Sequence, residues 1–143
     1  MPRELEPVMS IAELSDFFEA AFPGAGHDRM GRIDAISPGL VRLAMEPGPD
    51  SLRPGGIVSG PTQMGFADRA AYAVILAHIG PVAMAVTSNL NYSFLRSVEQ
   101  TTVWCDAVLL KLGKRLATVD CRLWQGTPTN IVGQATVTYA IPV

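Results

Sequence analysis

Charge, cysteine, histidine and aromatic side chains are all scarce in this chain of 143 residues. Charged residues make up only 17% and the net charge is −2, so there is no cationic footprint for nucleic acid. The two cysteines, Cys105 and Cys121, fall in strand-like segments without metal-type spacing, and they read as reduced, packed thiols. With His27 and His78 as the only histidines, fewer than three plausible ligands come together, and neither a metal nor another cofactor is expected. No apolar run reaches the roughly 18–20 residues of a membrane helix. The amino-terminal stretch MPRELEPVMS lacks a cationic head followed by an apolar core, so a cytoplasmic protein is expected. Repeats and low-complexity tracts are absent too.

What the chain does have is apolar surface. Hydrophobic residues make up 48% and the mean hydropathy is positive. The length suits one domain, residues 1–143, with a real core. An apolar fraction this high without a membrane span points to burial against other copies of the chain, as a homodimer or homotetramer.

Ser10 followed by Glu13 forms a capping-box pattern, and Ile11, Leu14, Phe17, Phe18 and Ala21 keep helical spacing up to Pro23-Gly24. Two short extended segments, Arg32–Ile36 and Leu40–Met45, flank the turn Ser37-Pro38-Gly39, and Glu46–Gly60 is a loop rich in proline and glycine. A long helix over Pro61–Ile79 follows. Strand patterns then fill Pro81–Val98, Thr101–Leu112, Leu116–Gln125 and Ile131–Ile141, with a hairpin signal at Gly113-Lys114-Arg115. One long helix followed by consecutive antiparallel strands is an α+β pattern.

The long helix is apolar on nearly every side, with Met64, Ala71, Ile75 and His78 on one stripe and Phe66, Ala70, Ala73 and Ala77 opposite. Asp68 falls inside the first stripe. It is too far from the helix start to serve as a cap, and Arg69, its sequence neighbour, does not face it. A hydrogen bond to Tyr72 or an ion pair with a distant arginine would make it structural. Buried carboxylates are rare without partners, and a working carboxylate is the stronger reading. The preceding Gly55, Gly56 and Gly60 let backbone approach a ligand, and a helix amino terminus offers free N–H groups to an oxyanion. Gly60 is expected as the cap, with Pro61 in the first helical position. Donor and base near one helix end are the minimum for cleaving an acyl bond.

The segment GGIVSGPTQMGFADRA resembles the active-site segment of hotdog-fold acyl-CoA thioesterases of the phenylacetate-degradation type, with Gly56, Gly60 and Phe66-Ala67-Asp68 matching in place. TSNLNYSFLRSV resembles the family's central strand, and KLGKRLATVDCRLW with IVGQATVTYAI resembles its last hairpin, so the likeness runs from Gly31 onward. The resemblance implies a long helix wrapped by an antiparallel sheet of five to six strands, here with an extra amino-terminal helix. It also implies edge-to-edge dimers, often paired into tetramers, with active sites at the dimer interface. The Gly60 N–H would polarise the thioester carbonyl. Asp68 would act from the other subunit as base or nucleophile, and Thr87 would help position the water.

Three positions depart from the family pattern. Arg53 stands where asparagine is usual, Ser59 where histidine is usual, and Pro61 where a second glycine is usual. Ser59 remains a possible hydrogen-bond donor to substrate or a local helix-start residue; Arg53 is a candidate contact for substrate charge. Neither histidine is placed to complete a nucleophilic triad or a dehydratase site. The resulting reading is an acyl-CoA thioesterase; the alternative is a non-catalytic acyl-CoA-binding hotdog protein. Arg96, Lys114 and Arg115 are candidates for the coenzyme's phosphates, which need cations outside an apolar acyl pocket.

Overall fold

The computed structural model describes residues 5–24 and 26–143. Helix α1, Ile11–Ala21, opens with the expected capping box: the Glu13 N–H donates to Ser10 Oγ at 3.1 Å, and the Ser10 N–H donates to Glu13 Oε1 at 3.0 Å. A four-residue helix, α2 (His27–Met30), follows. Strands β1 (Arg32–Ser37) and β2 (Leu40–Met45) pair antiparallel around Gly39, whose φ of +74° the turn requires. A minimal hairpin, β3 (Leu52–Arg53) and β4 (Ile57–Val58), then leads into the long helix α3, Gly60–Ile79. Four longer strands complete the chain: β5 (Val86–Phe94), β6 (Val103–Leu112), β7 (Leu116–Trp124) and β8 (Ile131–Ala140).

The main sheet is antiparallel, in the order β1-β2-β6-β7-β8-β5. Alternation along β6 and β7 turns Val103, Cys105, Ala107, Ala117, Val119 and Cys121 toward α3. The opposite side of α3 is covered by α1 and the segment before it. The Val8 N–H donates to the Ala77 carbonyl at 2.7 Å, and the Phe18 ring stacks on Tyr72 at 5.8 Å. Sheet on one side and α1 on the other explain why residues Ala70 to His78 are all buried. Both cysteines are buried and free, and burial pushes the Cys105 thiol well above its ordinary pKa.

Strand β5 is shorter than the expected Pro81–Val98. Its one neighbour among the described residues, β8, ends opposite Val86 at Ala140, so residues 81–85 have no described strand to pair with and turn instead. Its other side is a free edge among the described residues, and the apolar Val86 and Phe94, with Leu95 just beyond the strand, are each more than half exposed.

One close approach links sheet to helix start. The Tyr92 hydroxyl donates to Gln63 Oε1 at 2.8 Å, and Gln63 Nε2 donates to the Val58 carbonyl at 3.2 Å, just before α3 begins. Tyr92 reaches there by crossing Gly133 on the adjacent strand, where an added Cβ would stand 1.9 Å from its hydroxyl oxygen. Gly133→Ala is therefore expected to destabilise the fold by about 1–3 kcal/mol, the usual range for overpacking. A lowered urea midpoint at unchanged slope would show it.

Candidate functional site

Asp68 is not sealed in the core. It is half-buried in the third turn of α3, facing a cavity of about 530 Å³ whose wall also includes Gly65, Arg69, Tyr72, Thr87 and Tyr139. Two hydroxyls hold the carboxylate: Thr87 donates to Asp68 Oδ1 at 2.6 Å and Tyr139 donates to the same oxygen at 2.8 Å. Neither structural alternative raised by the sequence is realised, because Tyr72 instead donates to the Ala83 carbonyl at 3.0 Å and no arginine pairs with Asp68 among the described residues. Oδ2 has no hydrogen-bond partner among the described residues, and the Asp68 side chain that carries it belongs to the cavity wall.

Thr87 reaches Asp68 because of a backbone irregularity. Leu90 and Tyr92 of β5 face α3, so simple alternation would send Ser88 inward and Thr87 outward. A bulge between Thr87 and Asn89 shifts the register by one and sets Thr87 directly opposite Tyr139 of β8. Tyr139 was not anticipated from the sequence. The available signal was its inward parity with Ala135 and Val137, which gives a phenol a buried body and a hydroxyl that needs a partner. Burial above all, and the adjacent Asp68 carboxylate, hold this phenol well above its ordinary pKa, so it stays protonated and donates.

The helix start differs from expectation in one residue. Ser59, not Gly60, is the N-cap: the Thr62 N–H donates to Ser59 Oγ at 3.3 Å, and the two hydroxyls share a hydrogen bond at 2.7 Å. Serine outcompetes glycine here because only serine supplies a side-chain acceptor for the first-turn donors. Gly60 is then the first helical residue and Pro61 the second, which leaves the Gly60 N–H among the donors for which a helix has no internal partner.

Gly60 belongs to a different cavity, of about 490 Å³, together with Arg53, Gln63, Phe94 and Arg96. Asp68 lies eight residues further along the helix, about 12 Å at 1.5 Å per residue. One chain therefore does not bring its own Gly60 N–H and Asp68 carboxylate to one point. Gly56 walls neither cavity; with Gly55 it forms the exposed β3–β4 turn, where φ values of +78° and +104° account for both glycines.

Arg53 and Arg96 share the Gly60 cavity, but Lys114 and Arg115 lie at the other end of the sheet. Leu116 and Val86 both pair with Ala140, whereas Phe94 pairs with Gly133, seven residues or about 23 Å away along β8. The expected single surface of Arg96, Lys114 and Arg115 is thus not formed within one chain. His78 is buried with both ring nitrogens engaged: the Gly39 N–H donates to Nε2 at 2.9 Å, which leaves Nδ1 to donate to the Val74 carbonyl at 2.8 Å. His27 Nδ1 sits 2.9 Å from Arg69 Nη2. No helix among the described residues is long and apolar enough to cross a membrane.

A family model described as the thioesterase superfamily matches residues 55–132. A solved structure from Silicibacter sp. TM1040, named as a candidate thioesterase, is 36% identical, with 100% of this chain and 99% of that chain covered and a TM-score of 0.88. A phenylacetic acid degradation-related candidate thioesterase from Ralstonia eutropha JMP134 is 24% identical, with 87% and 98% covered and a TM-score of 0.75. A hypothetical thioesterase from Streptococcus pneumoniae, solved with coenzyme A, is 16% identical, with 93% and 97% covered and a TM-score of 0.71. The latter two likenesses are evidence for the hotdog fold alone. No curated protein sequence matches the chain.

The capping geometry gives Ser59 a measurable role. Ser59→Ala is expected to lower stability by about 1 kcal/mol and Ser59→Asp to restore it. Equal denaturation midpoints for all three proteins would contradict the cap.

Proposed function

The chain belongs to the thioesterase superfamily and is a thioester hydrolase, and from that premise we propose that its substrate is an acyl-CoA and that Asp68 is its general base. The observation that carries this reading is a carboxylate on the wall of a 530 Å³ cavity, held through Oδ1 by Thr87 and Tyr139 and with no partner for Oδ2 among the described residues. Oδ2 takes a proton from water as the water oxygen attacks the thioester carbon. The carbonyl oxygen becomes an oxyanion, which the Gly60 N–H at the start of α3 stabilises. The intermediate then collapses, the carbon–sulfur bond breaks, and the CoA thiolate recovers the proton, giving free acid and CoA thiol. Thr87 and Tyr139 use their protons to orient Asp68, so they are positioning residues for the base.

Two copies of the chain complete the site. Gly60 and Asp68 lie in separate cavities at opposite ends of β5, and the outer edge of β5 is unpaired. Antiparallel pairing of β5 with its own copy would set the Val86 end of one strand beside the Phe94 end of the other. Gly60, Arg53 and Arg96 of one copy would then meet Asp68 and Thr87 of its partner, with Lys114 and Arg115 on the Asp68 side. In that composite site all four cations are available to the coenzyme's phosphates. CoA in the Streptococcus pneumoniae structure supports the same substrate class.

Release of thiol from a panel of aryl- and alkyl-CoA esters tests the reading. Asp68→Asn should lower kcat by roughly 10²–10⁴-fold, as loss of a general base does; near-normal turnover would refute the assignment, and binding without thiol release in the unaltered protein would favour a non-catalytic acyl-CoA binder.

Sharing of the site has its own test. Gly60→Pro removes the N–H at a helix position that tolerates proline. Alone, this variant and Asp68→Asn should each be nearly inactive. Refolded together in equal amounts, they should recover about a quarter of normal activity, because half of the dimers are mixed and each carries one intact site. No recovery would mean that each chain works alone.

A further inference from the structure

Arg69 is the most deeply buried arginine among those whose surroundings are described, at 8% exposed, and among the described residues it has no carboxylate partner. The arginines that do pair with carboxylates, Arg29, Arg32, Arg42 and Arg122, all have side chains at least 33% exposed. Burying a guanidinium without a counter-charge is costly, so its remaining donors need an acceptor. Burial lowers its pKa to about 10, which still leaves it protonated at neutral pH.

The protein uses only part of the guanidinium. Nε donates to the Gly31 carbonyl at 2.8 Å and Nη2 meets His27 Nδ1 at 2.9 Å, while the Phe18 ring lies 4.5 Å beneath. Nη1 has no partner among the described residues, yet the only sealed side-chain polar atom without one there is Trp124 Nε1, so Nη1 retains an open side. Arg69 walls the same large cavity as Asp68, and also a smaller one of about 170 Å³ that does not include Asp68. Phe22, Met30, Tyr72 and Ala85 supply an apolar lining to the large cavity. A thioester whose carbonyl sits at Asp68 would thus run its acyl chain over apolar surface, with a fixed cation on the same wall. The coenzyme's phosphates are a poor match for that cation, because they need a solvent-facing surface and have exposed arginines and lysines available outside this cavity.

We propose, on the basis of the acyl-CoA reading above, that Arg69 is a specificity-determining residue and that the preferred substrates are ω-carboxyacyl-CoA thioesters, whose distal carboxylate binds the free side of its guanidinium. A planar fork with two donors in use still offers parallel N–H groups to a carboxylate, and an unsubstituted alkyl chain would leave them unpaired.

The test compares succinyl-, glutaryl- and adipyl-CoA with butyryl-, pentanoyl- and hexanoyl-CoA. At least one carboxylated ester should exceed its alkyl match in kcat/KM by about tenfold or more, the scale expected when a site built for a polar group meets an analogue lacking it. Arg69→Met should lower that ratio at least about tenfold, whereas a purely structural Arg69 would depress both series alike and leave the ratio unchanged. If Arg69→Met does not fold, the ratio in the unaltered protein still decides. Equal or alkyl-favouring kcat/KM values across all three pairs would overturn the inference while leaving acyl-CoA hydrolysis intact. Failure to hydrolyse either series, with the aryl- and alkyl-CoA panel inert as well, would instead sink the proposed activity. Calorimetry with non-hydrolysable thioether analogues of the same pairs would then decide the inference: tighter binding of a carboxylated analogue supports it, and equal affinities overturn it.

Discussion

Burial of α3 between the sheet and α1 is the constraint from which the rest of the molecule follows. The helix has no polar face to give to water, so the chain must cover it on both sides: Val103, Ala107 and Val119 from the sheet, Phe18 and the segment around Val8 from the other flank. A helix so enclosed is a rigid mount. Any polar group it carries must be hydrogen-bonded or must open onto a cavity. Asp68 does both: Oδ1 accepts from Thr87 and Tyr139, and the side chain lines the large cavity.

The same enclosure leaves the two ends of α3 with different chemistry. At its start, Ser59 takes up the Thr62 N–H, while the Gly60 N–H has no partner within the helix. Tyr92, crossing Gly133 and bonded to Gln63, ties that end to the sheet. Further along, Thr87 and Tyr139 fix Asp68 from two adjacent strands. The Gly60 N–H and the Asp68 carboxylate lie about 12 Å apart along one helix. Among the described residues the outer edge of β5 is unpaired, with apolar side chains exposed at both ends.

Arg69 shows how a single sequence position can serve both architecture and selection. Its bonds to Gly31 and His27 and its place over Phe18 secure α2 and α1 against α3. Its position beside the Asp68 cavity makes the same guanidinium the natural measure of what lies at the far end of an acyl chain.

Much of the fold was legible in the sequence, since the signals were local. The α1 capping box, the β1–β2 turn, the β6–β7 hairpin and the all-round apolar character of α3 are properties of short stretches, set by hydrogen-bonding side chains, turn residues and periodicity. The family likeness rests on equally local residue patterns, and so does the expectation for Asp68. Four features needed the tertiary structure. The start of β5 depends on where β8 ends, and the inward turn of Thr87 depends on a bulge that alternation does not forecast. Tyr139, seventy-one residues from Asp68, meets it only through strand pairing. The separation of Arg96 from Lys114 and Arg115 follows from sheet direction, because charges that look like one cluster can lie at opposite ends of antiparallel strands. Sequence determines which groups a segment carries and how it turns; which groups meet is decided by register and packing, and those depend on residues far away in the chain.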